Sequence, residues 1–137
     1  MNTVLFACVH NAGRSQMAAA LFNRLADPSK ARAVSAGTQP GKAVHPEVVA
    51  VMKEVGVDLS MGEPRLLSDS LAASASLLVT MGCGDACPFV PGLERDDWPL
   101  EDPKGRPLEQ VRQIRDDVER RVRGLLAARG WLALAVG

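Results

Sequence analysis

The sequence predicts an α/β protein, with a parallel sheet carrying helices on both faces. Three observations lead there. Nearly unbroken apolar runs at Thr3 to Val9 and Leu77 to Met81 suit strands buried on two sides. Between them lie segments whose apolar residues recur at steps of three and four. Turn formers, not long linkers, separate these pieces, and 137 residues suit one domain spanning 1–137.

Thr3 to Val9 reads as the first strand, and its apolar character puts it in the middle of the sheet. Ser15 to Ala26 follows as a helix with Met17, Leu21, Phe22 and Leu25 on one face, stopped by Asp27-Pro28. Ala31 to Ala36 is a short second strand, closed by the turn formers Gly37-Thr38-Gln39-Pro40-Gly41. Pro46 opens a second helix as its first residue, with Val48, Val49, Met52 and Val55 facing inward and Gly56 ending it. Val57 to Leu67 is mixed, and Pro64 argues against a central strand there. Ser68 caps a short helix through Ala73, and Leu77 to Met81 is a third buried strand ended by Gly82. Residues 82–106, rich in proline, glycine and charge, form a long loop with at most one short strand near Trp98. From Pro107 onward Leu108, Val111, Ile114, Val118, Val122, Leu125 and Leu126 mark the inner face of a last helix, with Gly130 just past its end.

Composition excludes several classes of function. The formal net charge is zero, so there is no basic excess for nucleic acid or an anionic membrane surface. No apolar stretch is long enough to span a bilayer, and the N-terminus lacks the ordered parts of a signal peptide. A cytoplasmic, monomeric protein is expected, in a compartment that keeps thiols reduced. Three cysteines there read as catalytic, redox or metal-binding before they read as a structural framework.

The segment Cys8-Val9-His10-Asn11-Ala12-Gly13-Arg14-Ser15 carries the chemistry. It runs from a buried strand through a tight turn into a helix, and Gly13 and Asn11 tolerate positive φ. Backbone N–H groups of such a turn and the positive end of the helix dipole form a cradle for a tetrahedral oxyanion. Val9, His10, Asn11, Ala12, Gly13 and Arg14 would line it. The same field favours the thiolate form of Cys8. Arg14 offers a bidentate fork to two anion oxygens, and Ser15 can cap free amides or hydrogen-bond the sulfur. The alternative, Cys8 as a small buried hydrophobe, leaves the Gly, Arg and Ser unexplained. His10 is expected to face solvent, and His45, before Pro46, to start a helix.

In a parallel sheet ligands bind beyond the carboxyl ends of the strands, which brings the loops after strands one and three to one edge. Cys8 and Cys83 would then be neighbours. Cys83 and Cys87 lie in Met81-Gly82-Cys83-Gly84-Asp85-Ala86-Cys87-Pro88, and three readings of the pair stand open. They are a metal site lacking a second ligand pair, two unrelated loop thiols, or a redox relay in which Cys83 attacks an adduct on Cys8 and Cys87 resolves the disulfide. Asp102, in Asp102-Pro103-Lys104-Gly105, is the candidate acid for a leaving oxygen. The tetrapeptide by itself more commonly marks an exposed turn, and its position between Cys87 and the last helix favours the catalytic reading. Asp85, Asp96, Asp97 and Glu101 are its rivals.

Together the Cys8-x5-Arg14-Ser15 loop, the Ser35-Ala36-Gly37-Thr38 turn and the Asp102-Pro103 pair resemble the low-molecular-weight protein tyrosine phosphatases. The added Cys83 and Cys87 resemble the thioredoxin-coupled arsenate reductases built on that fold. The likeness runs from Thr3 to about Ala128 and implies a four-stranded parallel sheet in flavodoxin-like order. It also implies an arsenate reductase with Cys8 as nucleophile, Arg14 and the loop amides as oxyanion holders and Ser15 as thiolate stabiliser. Asp102 would be the general acid, and Cys83 and Cys87 the shuttle. Phosphate or sulfate would compete with arsenate, and thioredoxin would be the electron donor, since a small thiol would not need Cys87.

No cofactor or metal is implied, and the first helix lacks the acidic residue that helps some relatives bind potassium. Only three residues separate the shuttle cysteines, fewer than in some relatives. The alternatives are a phosphatase for phosphate monoesters and a non-catalytic arsenite binder. Against the first, Lys104-Gly105-Arg106 stands where phosphotyrosine enzymes carry aromatic residues, and against the second, a binder needs neither Arg14 nor Asp102.

Overall fold

The computed structural model describes residues 2–82 and 92–133. Strands β1 (Asn2–Cys8), β2 (Ala31–Gly37), β3 (Leu77–Thr80) and β4 (Glu94–Asp97) form one sheet in the order β2-β1-β3-β4, every pair parallel. The order reverses at β1, so a crevice opens at the carboxyl ends of β1 and β3, as anticipated from the alternation. The register sets Cys8 beside Gly37 and Ala7 beside Thr80. Helices α1 (Arg14–Leu25), α2 (Pro46–Lys53), α3 (Asp69–Ala73) and α4 (Leu108–Arg129) complete the chain.

Alternation along β1 builds two cores. Val4, Phe6 and Cys8 point into the larger one, with Met17, Leu21 and Phe22 of α1, Val48, Val51 and Met52 of α2, and the inner face of α4. Leu5 and Ala7 point the other way, onto Ala36, Leu78 and Ala72 of α3. A chain of aromatic contacts crosses the larger core, from Trp98 to Phe6 (ring centres 5.5 Å apart), Phe6 to Phe22 (5.9 Å) and Phe22 to Trp131 (6.3 Å). Each buried ring contributes roughly 2–3 kcal/mol by leaving water. Outside this core Glu54 ties α2 to α4 through Arg112 and Arg115. Their hydrogen bonds, Arg112's foremost, hold its carboxyl below the ordinary carboxylate range.

Several expectations need correction. Val9 lies in the loop, because β1 ends at Cys8, and α1 begins at Arg14, one residue before the expected Ser15. On α2 the inward residues are Val48, Val51 and Met52; Val49 is half-buried, and Val55 lies beyond the helix, in the turn that Gly56 closes at φ 81°. Leu108, the first residue of α4, is 43% exposed, and Leu125 is half-buried. The strand near Trp98 is Glu94–Asp97, whose side chains are all exposed. It is an edge strand paired only to β3, so its charges face water on both sides and no apolar signal marks it.

Candidate active site

The loop between β1 and α1 is buried from Asn11 onward, and its shape is set by one asparagine. Asn11 stands at φ 50°, a left-handed conformation that asparagine tolerates better than most residues. Its side chain is fully buried and donates to Ser15 Oγ (2.7 Å) while accepting from the Arg65 amide (2.9 Å) and Gln16 Nε2 (3.2 Å). Ser15 Oγ lies 2.9 Å from Cys8 Sγ. Because Asn11 Nδ2 is only a donor, Ser15 accepts from it and keeps its own proton to aim at the sulfur. Ser15 thus bonds the thiol and caps nothing, since the N-cap of α1 is Gly13 and makes no side-chain cap bond.

The first helical amide with a partner four residues back is Met17 N, on Gly13 O at 2.9 Å. Among the described residues the amides of His10 through Gln16 donate to no carbonyl or side chain. Unpaired amides in a buried turn are costly, and they call for an acceptor that arrives with a ligand. The loop carbonyls are spent elsewhere: Val9 O accepts from Gln39 N, His10 O from Gly41 N and Ala12 O from His45 N. Glycine is required at two points of this packing. A Cβ on Gly37 would stand 2.6 Å from Val9 O, and one on Gly13 would stand 2.8 Å from Pro103 Cγ.

Arg14 lies beneath the cradle with its side chain 9% exposed. Its Nη1 donates to Leu100 O at 3.0 Å, and its Nη2 is 4.0 Å from Asp102 Oδ2. Its Nε is buried and has no partner among the described residues, nor has the hydroxyl of Thr38, the residue after Gly37. One edge of the guanidinium is therefore spent on Leu100, and the Nε edge remains for an anion. Asp102 is half-exposed; its Oδ1 accepts from Lys104 N (3.0 Å), the side-chain turn its tetrapeptide suggests, yet its other oxygen faces Arg14. The loop is thus both a turn and a wall of the site.

Of the expected site residues, Cys8 lies against Ser15, and Arg14 faces Asp102. His10 is half-buried, its Nδ1 3.0 Å from Gln39 O, and His45 is the N-cap of α2. Of the rival carboxylates Asp96 accepts from Trp98 Nε1 and Asp97 from Thr80, while Glu101 accepts from Gln110, so each is bound away from Arg14. Cys83, Cys87 and Asp85 lie outside the described residues; the loop after β3 is described as far as Gly82, which lies against Arg14.

Sequence reasoning missed three residues that shape the site. Gln16 donates to Asn11 O (3.1 Å) and to Glu63 O (3.3 Å), tying the loop to residues 59–65. Glu47 accepts from the Gly105 amide (3.1 Å), fixing the Asp102 turn to α2. Leu100 contributes only a carbonyl, for which sequence carries no signal. A polar Gln directly after the Arg-Ser pair, at the start of the helix, was the signal available for Gln16.

The chain is similar to known proteins. A Halobacterium salinarum protein, named provisionally an arsenate reductase, is 43% identical over 121 residues, 85% of each chain. The glutaredoxin arsenate reductase of Synechocystis sp. is 35% identical, covering 93% of this chain and 98% of its own. The solved thioredoxin-dependent arsenate reductase of Corynebacterium glutamicum superposes with a TM-score of 0.80 at 38% identity. That match covers 93% of this chain and spans 61% of the Corynebacterium one. Among the described residues of this chain no helix is long and apolar enough to cross a membrane. The model of the low molecular weight phosphotyrosine protein phosphatase family matches residues 3–130, and the chain belongs to that family.

Proposed function

We propose that this protein is an arsenate reductase. The observation that carries the reading is the buried loop around Cys8, whose amides, like the Nε of Arg14, have no partner among the described residues. Such a cradle takes a tetrahedral oxyanion at bonding distance from a thiolate. The Cys8 thiolate attacks arsenic(V), and Asp102 delivers a proton so that one arsenate oxygen leaves as water. Arg14 and the loop amides hold the remaining oxygens, with Ser15 donating to the sulfur beforehand. The Cys83 thiolate then attacks Cys8 Sγ, and the sulfur–arsenic bond breaks with its electron pair going to arsenic, which departs as arsenite. Cys87 takes over Cys83 from the Cys8–Cys83 disulfide, freeing Cys8 and carrying a Cys83–Cys87 disulfide to the donor.

Thioredoxin is the donor this reading favours, because a resolving Cys87 makes a small thiol unnecessary at the adduct. The Corynebacterium relative is thioredoxin-dependent and the Synechocystis one is named for glutaredoxin, so the two donors are the ones to compare. The protein would work in the reducing cytoplasm, as a monomer whose site is complete in one chain, with phosphate and sulfate as competitors. A phosphatase reading has the family's own description in its favour. Lys104-Gly105-Arg106 after Asp102-Pro103 offers no ring to stack on a phosphotyrosine, so slow hydrolysis of small aryl phosphates is a side reaction of the same loop.

The test is arsenate reduction with thioredoxin and its reductase, in parallel with glutaredoxin and glutathione, joined to disulfide mapping after one equivalent of arsenate. Wild type should end as Cys83–Cys87, and Cys87→Ser should trap Cys8–Cys83. A Cys8–Cys87 bond in wild type, with Cys83 free, would reverse the order of the relay. Absence of arsenite with every donor would remove the proposal.

A further inference from the structure

We propose that Gly82 is a positioning residue for Arg14, fixing which edge of the guanidinium meets the oxyanion; the inference rests on the oxyanion reading of the loop. Gly82 follows β3 by two residues and stands at φ 84°, a left-handed conformation. A Cβ there would lie 2.5 Å from Arg14 Nη1, 3.6 Å from its Cζ and 3.4 Å from Leu100 O. No real Cβ approaches a nitrogen that closely, so glycine is needed twice over, for its φ and for its bare Cα. The bare Cα is what allows Nη1 to slot between residue 82 and Leu100 O, with which it bonds at 3.0 Å. With Nη1 held there, rotation of the guanidinium is blocked, and its buried Nε, which has no partner among the described residues, is the edge left for the oxyanion.

A side chain at 82 would clash first with the far end of Arg14. Arginine's end is flexible, so it gives way before the backbone does, leaving the fold standing and the fork misaimed. Gly82 also directly precedes Cys83, where a glycine reads most simply as freedom of movement for the sulfur. The two roles make opposite forecasts. Mobility governs the relay alone, whereas positioning governs the binding of an oxyanion before any relay begins.

The experiment measures how inorganic phosphate protects Cys8 from iodoacetamide in the full chain, read by mass on the Cys8 peptide. Gly82→Ala should weaken protection about tenfold or more, the loss of one charge-assisted hydrogen bond. The loss should shrink to near nothing in an Arg14→Lys background, because an ammonium leaves no Nη1 to collide with. Unchanged phosphate protection with reduced arsenate turnover would overturn the inference in favour of mobility. Equal losses in both backgrounds would overturn it in favour of backbone strain. If Gly82→Ala does not fold, recovery of the fold in Gly82→Ala/Arg14→Ala supports the contact and continued unfolding overturns it. A wild-type Cys8 that phosphate fails to protect would remove the oxyanion reading and this inference with it. Normal wild-type protection beside an unaltered variant removes the inference alone.

Discussion

Residues 8–15 and residues 99–107 meet at Arg14 and are held in opposite ways. The first loop is buried and over-determined: Asn11 bonds both Ser15 and Gln16, Gln16 ties into residue 63 and Asn11 into residue 65. The second lies mostly at the surface, although Leu100 and Pro103 are buried. Asp102 is 45% exposed, and the turn is held by its own Lys104 amide, an Arg106 N to Pro103 O bond and the Glu47 carboxylate. Pro103 packed on Gly13 is its one close contact with the first loop that leaves no room for a Cβ. A nucleophile and the dipoles around it gain from being fixed before substrate arrives. An acid that must meet a leaving oxygen gains from a looser mount, and so the two halves of one site differ in rigidity.

If that contrast is right, changes in the first loop cost most. Cys8→Ser should abolish arsenate reduction and aryl phosphate hydrolysis together, since both begin with thiolate attack. Steady-state assays of each reaction test it, and appreciable turnover in either would break the comparison at its root. Arg14→Lys should cost on the order of 3 kcal/mol of transition-state stabilisation, because an ammonium cannot present a planar fork. A lysine variant within a few-fold of wild type in kcat/KM would mean that the Nε edge is not the one that meets the anion.

Asn11→Ala sharpens the comparison by testing rigidity itself. It removes a donor to Ser15 and an acceptor for Arg65 and Gln16, and it leaves a Cβ residue at φ 50°. Urea unfolding should show a loss of roughly 2–4 kcal/mol. Asn11→Gly relieves the backbone but not the bonds, so it should recover only the smaller part. Full recovery in the glycine variant would show that conformation, and not the hydrogen-bond network, fixes the loop.

The same contrast explains what was legible in the sequence. The sheet, the inner face of α1 and the Cys8–Ser15 loop follow from local patterns: apolar runs, period, and a glycine before an arginine. Asp102 was legible as a turn and, by its place in the chain, as a wall of the site. The partners that hold these pieces were not, because they come from far along the chain and act through backbone atoms. Leu100 O, the Arg65 amide and the Gly105 amide have no side-chain signature. β4 was legible only as a short strand near Trp98, without bounds, since an exposed edge strand of four polar residues differs from a loop only in its pairing. Val55 is off the inner face of α2 because the helix stops at Lys53 and the chain turns through Gly56, an end that period alone does not mark.

The smallest expected effect belongs to the looser loop, at Glu47. Its carboxylate accepts the Gly105 amide and sits in the first turn of α2, where negative charge meets the helix dipole favourably. The bond is at the surface, so Glu47→Ala should cost stability no more than about 1 kcal/mol. Its effect on chemistry should depend on the leaving group, because the loop it holds carries the acid. Phenyl phosphate, whose phenolate leaves poorly without a proton, should lose a few-fold more rate than p-nitrophenyl phosphate, whose anion leaves unaided. Glu47→Gln keeps an acceptor for Gly105 and should restore most of that difference, whereas Asp102→Asn should enlarge it. Equal losses for the two esters in Glu47→Ala would mean that the turn is held firmly without Glu47. The acid side would then be as rigid as the nucleophile side, and the contrast between the two loops would fall.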